Sequence, residues 1–126
     1  MIEELRKLQE NSYSPYFNYP VSCIVITNDN NKFNGVNVEN ANGTSICAER
    51  NAIANAVANG YKKGDFKELN IMVSGDKSST PCFACRQVII EFFNKDAIIN
   101  CYSKNGELKS YTVEELCPYP FSEEDL

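Results

Sequence analysis

The chain has 126 residues, 43% of them hydrophobic and 23% charged, which suits one compact domain over residues 1–126 with a buried core. A net charge of −5, with Lys and Arg scattered among more numerous acids, argues against a polynucleotide partner, whose affinity would come from phosphate contacts. There is no histidine, so any chemistry must run without the usual neutral-pH base.

The opening segment, "MIEELRKLQE", carries acids early and spaces Ile2, Leu5 and Leu8 at helical intervals. It reads as an amphipathic helix and not as a signal or transit peptide. No apolar run approaches the roughly 20 residues that span a bilayer. The expected location is the cytoplasm, with no membrane partner.

An aromatic loop with two prolines, "SYSPYFNYP", leads into the apolar strand "VSCIVIT". The turn "NDNN" folds this strand back onto "KFNGVNV" as a hairpin. A helix follows over "TSICAERNAIANAVANG", with hydroxyl residues Thr44 and Ser45 as the expected N-cap and Gly60 as its end. "LNIMVS" (69–74) is a short buried strand and "GDKSST" a loop. Pro81 is then expected at the first position of a helix over "PCFACRQVIIEFFNK". A strand "AIINCYS", a "KNG" turn, the segment "ELKSYT" and a short helix at "VEEL" complete the chain. Strands alternating with helices of these lengths predict an α/β fold: a sheet with helices on both faces, opened by an antiparallel hairpin. In such sheets ligands bind at strand carboxyl ends beside helix N-termini, where both cysteine-bearing helix starts would lie.

Of six cysteines, Cys23 and Cys101 fit small buried residues on strands, and Cys117 has no evident role. With no secretory signal, three disulfides are not expected. Cys82 and Cys85, at i and i+3 on a first helical turn, share a face and can bite one ion. The helix dipole there favours thiolates. Alone, this pair is equally a redox pair, half of a structural zinc site or two buried thiols. Cys47, at the start of the other helix, is the natural third ligand. Three protein ligands leave the fourth tetrahedral position open, as in a catalytic zinc site, and thiolates favour Zn²⁺ over harder ions.

Glu49 is two residues from Cys47, so both reach one centre only if it lies over the helix end. A carboxylate there can take a proton from an activated water and hand it to a substrate nitrogen, although a first-turn acid can also simply complement the dipole. Arg50, and Arg86 after Cys85, would withdraw electron density from the thiolates and restore the acidity that three of them take from the ion. For each, a surface salt bridge is the plain alternative.

Cys-Ala-Glu at one helix start and Pro-Cys-x-x-Cys at another form the zinc nucleoside and base deaminase signature. With "CAER" and "PCFACRQ", the chain resembles the small homotetrameric cytidine deaminases, whose first ligand is cysteine. "SYSPYFNYPV", "FNGVNVENA" and "FSEEDL" extend the resemblance over nearly the whole length. It implies a three-layer α/β/α fold around about five strands and one Zn²⁺ per chain. The implied reaction is hydrolytic deamination of cytidine and deoxycytidine in pyrimidine salvage. It further implies that Asn37 and Glu39 hold the ribose 3′-hydroxyl and that Tyr19 stands against the base. The backbone C=O of Ala48 would recognise the amino group. Phe121 would reach a neighbouring subunit's site in a homotetramer. A carboxylate at Glu39 suits a neutral sugar diol and would repel a nearby 5′-phosphate, so a nucleoside fits better than a nucleotide.

This chain departs from the family pattern at the loop "NANGTSI", which is shorter and lacks an aromatic, and at "VSC" in place of Val-Gly-Ala. Blasticidin S deaminases share a shortened loop but lack the acid at Glu39. Deamination of such an antibiotic and a non-catalytic zinc-stabilised domain are the alternative readings. The second would need the three cysteines but not Asn37, Glu39 and Glu49 together.

Overall fold

The structure, a computed structural model, describes residues 1–126. In chain order the elements are α1 (Ile2–Gln9), β1 (Val21–Thr27), β2 (Lys32–Val36), α2 (Ala48–Ala58), β3 (Phe66–Val73), α3 (Phe83–Phe92), β4 (Phe93–Tyr102), β5 (Leu108–Thr112) and α4 (Val113–Leu116), then a 3-10 turn at Glu123–Asp125. The strands form one mixed sheet in the order β2-β1-β3-β4-β5. Only β3 and β4 run parallel, joined by the crossover helix α3.

The two-residue period of the strands sorts their side chains into two cores. Cys23, Val25, Leu69, Ile71, Ile99 and Cys101 face α2, α3 and α4, together with Ala52, Ile53, Ile89 and Leu116. The alternate residues Ile24, Met72 and Tyr102 pack against Leu5 of α1. The result is three layers: α1, the sheet, and α2 with α3 and α4. No helix is long and apolar enough to cross a membrane.

Helix starts depart from the sequence-based expectation in a way that matters for the site. Thr44 does not cap α2; its backbone and hydroxyl close a small turn on Asn40, with Asn40 Nδ2 donating to Thr44 Oγ1 at 3.0 Å. Cys47 is the N-cap, in extended conformation (φ −73°, ψ 151°), and Asn51 N–H bonds its C=O at 3.0 Å to start the ladder. Pro81 likewise lies before α3, not inside it. Cys82 is the N-cap there (φ −65°, ψ 164°), with Arg86 N–H on its C=O at 2.9 Å. β4 begins at Phe93, four residues earlier than "AIINCYS". Phe93 stacks on Phe66 at 5.0 Å and pairs with it in register, so tertiary packing ends the helix where local propensity would continue it.

α2 lies close upon β2. A Cβ on Gly35 would come within 2.4 Å of both Ala48 O and Ala52 N, so only glycine allows this approach. That contact sets how far the start of α2 stands from the sheet.

Candidate active site and metal centre

The starts of α2 and α3 meet at the carboxyl ends of β2 and β3, and each offers a cysteine as its N-cap. Neither sulfur makes a capping bond, so both are free to point across the gap. Cys47 Sγ and Cys82 Sγ stand 3.9 Å apart, and with Cys85 Sγ all three lie within 4.8 Å of one another. A tetrahedral ion with Zn–S bonds of about 2.3 Å holds its sulfurs about 3.8 Å apart, so the tripod fits zinc with little adjustment. Two helix N-termini add positive potential at the same point. Cys85 is buried and Cys82 exposed, which makes the centre a floor with one open side.

The Cys47 thiol is lowered to about 5, because its sulfur accepts from Cys85 and from Arg50. Cys85 is pushed up by that same bond and by burial. Arg50 Nη2 donates to Cys47 Sγ at 3.2 Å, and the guanidinium is held still more firmly protonated by this contact. The three thiolates carry one negative charge beyond what a divalent ion cancels, and Arg50 supplies the balance. Arg86 is placed otherwise. Its Nε, Nη1 and Nη2 donate to Pro81 O at 2.8 Å, Leu116 O at 2.6 Å and Thr80 Oγ1 at 2.8 Å. These bonds tie the residue preceding Cys82 to the end of α4, so Arg86 fixes where a ligand sits without donating to a sulfur.

Glu49 is only 4% exposed, and Cys85 Sγ lies 3.4 Å from its Oε2. The carboxylate therefore overlooks the tripod from the start of α2, as the two-residue spacing from Cys47 requires. Burial raises its pKa, the largest influence on it, and the charge on Cys47 adds to this. Beneath it, burial raises Cys23 strongly and pushes Cys101 up to about 11, so these two stay neutral core thiols.

Asn37 and Glu39 lie at the end of the β2 segment, beside the aromatic loop. Glu39 is buried, and its Oε1 accepts from Tyr16 N–H at 2.8 Å and Phe17 N–H at 3.2 Å. Asn37 Oδ1 accepts from Val21 N–H at 2.9 Å and Ser12 Oγ at 2.5 Å, while its Nδ2 donates to Tyr19 O at 2.9 Å. Both residues thus hold the loop in place, a role the sequence reading missed. Their partners lie between 16 and 25 residues away, and nothing local announces them. Tyr19 is 41% exposed, its hydroxyl near Gly75 at the end of β3. Ala48 turns its C=O against Gly35 and into the helix ladder. The polar group it offers at the helix start is its N–H, which precedes the first ladder bond. Phe121 lies on the far side of α3, 59% exposed, its C=O held by Gln87 Nε2 at 2.8 Å.

A tripod of thiolates open on one side, with a buried carboxylate above it, is the arrangement of a metal-dependent hydrolase. Residues 1–101 match the family model for the cytidine and deoxycytidylate deaminase zinc-binding region. The chain is 37% identical to a cytidine deaminase of Sporosarcina psychrophila, over all of this chain and 92% of that one. It is 34% identical to a cytidine deaminase of Mycoplasma genitalium, covering 92% and 88% of the two chains. The crystal structure of cytidine deaminase from Burkholderia pseudomallei superposes with a TM-score of 0.91 at 35% identity, over 95% of each chain. The chain belongs to the zinc-dependent cytidine and deoxycytidylate deaminase family.

Proposed function

We propose that the protein hydrolyses cytidine and deoxycytidine to uridine and deoxyuridine plus ammonia, as a single catalytic domain in pyrimidine salvage, with Cys47, Cys82 and Cys85 holding one zinc and Glu49 moving the protons. The observation that carries this reading is Glu49, buried and 3.4 Å from a sulfur of the tripod. When bound, zinc supplies the Lewis acidity that makes water a nucleophile near neutral pH. Glu49 Oε2 receives the proton that water gives up and delivers it to N3 of the ring, which makes C4 electrophilic. The water oxygen would then bond to C4, and Glu49 would carry the remaining proton of that added hydroxyl to the amino nitrogen, so that the C4–N bond breaks, C4=O forms and ammonia leaves. The raised pKa suits a carboxyl that both accepts and returns protons. Ala48 N–H orients the base, and Tyr19 closes one side of it.

The sugar site follows from hydrogen-bond capacity. With Oδ1 doubly occupied, Asn37 has one Nδ2 hydrogen left to give. With Oε1 occupied by two amides, Glu39 presents Oε2 as an acceptor. One donor beside one acceptor complements a hydroxyl, which is both, and supports assignment of this pair to the ribose 3′-hydroxyl. Phe121, exposed in the single chain, supports a homotetramer in which it completes a neighbour's site. Six free cysteines suit a reducing compartment, the cytoplasm.

Loss of ultraviolet absorbance on mixing the zinc-loaded protein with cytidine, deoxycytidine, cytosine and deoxycytidylate tests the reading. Turnover of the two nucleosides, abolished by chelation and restored by zinc, is the expected result. Preference for the phosphorylated substrate would overturn the assignment of Glu39.

A further inference from the structure

Asn37 is held by three bonds, and only two of them are needed to orient it. Val21 N–H is an obligate donor and Tyr19 C=O an obligate acceptor, so these backbone groups alone fix which end of the amide is Oδ1 and which is Nδ2. The third partner, Ser12 Oγ, is surplus to orientation. It lies 2.5 Å from Oδ1, far closer than its other contacts, Ser14 Oγ and Asn37 O, both at 3.4 Å. Its single hydrogen therefore goes to Oδ1.

This bond has two consequences. It fills the second lone pair of Oδ1, so a ligand meets no acceptor on Asn37 and must present a lone pair to Nδ2–H. It also draws charge through the amide, because bonds in a chain polarise one another, and strengthens Nδ2–H as a donor. We propose that Ser12 is a positioning residue for sugar recognition: its hydroxyl makes Asn37 a pure and strengthened donor toward the 3′-hydroxyl of the nucleoside. The proposal rests on the assignment of Asn37 and Glu39 to that hydroxyl. In this role Ser12 acts through Asn37, to which its hydroxyl is bonded.

The test compares cytidine with 3′-deoxycytidine in the zinc-loaded wild-type protein and in Ser12→Thr and Ser12→Val. These two side chains share one shape and differ in the hydroxyl, so any packing disturbance at this half-buried position is common to both. Ser12→Thr should keep the wild-type preference for cytidine. Ser12→Val should lose about three- to tenfold in kcat/KM for cytidine, through KM with kcat little changed, as expected for one hydrogen bond. Its kcat/KM for 3′-deoxycytidine should match that of Ser12→Thr. Equal losses by Ser12→Val on both nucleosides, or none on either, would overturn the role of Ser12 while leaving the sugar site standing. A wild-type protein that uses both nucleosides equally would overturn the sugar assignment and the role of Ser12 with it.

Discussion

Glu49 is a residue whose neighbours decide its chemistry. An exposed first-turn acid would only complement the helix dipole, but this one is buried beside a thiol, and desolvation raises its pKa. Glu49→Gln keeps its shape and removes its proton-carrying capacity. Turnover should fall by at least about 10²–10⁴-fold while metal analysis still finds one zinc per chain. Near-normal turnover would remove Glu49 from the mechanism, and loss of zinc would make it a structural ligand. The cysteines separate in the same way. Serine at Cys47, Cys82 or Cys85 should abolish stoichiometric zinc, since a neutral hydroxyl replaces a thiolate. Serine at Cys117, which lies outside the tripod, should leave metal and turnover intact. The tripod was legible in the sequence because ligand spacing on helix starts is a local property. The duties of Arg86, Ser12 and the buried amide contacts of Glu39 were not, because their partners are brought close only by the fold.

At the level of elements, the site depends on how two helices are seated. The hairpin and the alternation of strands and helices along the chain could be read from periodicity and turn residues; the order of the strands in the sheet could not. The helix starts could not be read to the residue, because Thr44 and Pro81 are good local signals that lose to tertiary demands. Asn40 takes Thr44 into its own turn, and α3 starts where Cys82 must face Cys47. Gly35 shows how tightly α2 is seated. In Gly35→Ala the new methyl would overlap backbone atoms of α2 at 2.4 Å, and backbone cannot rotate away as a side chain can. Overpacking of this kind costs about 1–3 kcal/mol, a fall in melting temperature of several degrees for a domain of this size. The start of α2 must lift, and it carries Cys47, Glu49 and Arg50 together. Zinc affinity and kcat should therefore both fall in Gly35→Ala, measured by chelator competition and by rate. A stable variant with unchanged zinc affinity would show that α2 is not held by this contact.

For the whole molecule, the question is whether one chain makes a complete site. The tail after α4 runs over α3, with Tyr119 and Phe121 exposed and Phe83 exposed beside them. Phe121 is tethered through its backbone to Gln87, which fixes the tail and leaves the ring free. Exposed aromatic surface fixed in place is suited to a partner surface. On the proposed function, that partner is a neighbouring copy whose nucleoside the ring would contact. Burial and stacking of such a ring contribute about 1–3 kcal/mol to substrate binding. Phe121→Ala should raise KM for cytidine by about five- to 150-fold and leave zinc content unchanged. Mixing it with Glu49→Gln gives the sharper measurement. In a reassembled mixed oligomer, some sites draw Glu49 from one chain and Phe121 from another. Those sites should recover a wild-type KM, although every chain in the sample carries a defect. Light scattering that shows a monomer, or mixed oligomers with no such recovery, would confine Phe121 to its own subunit.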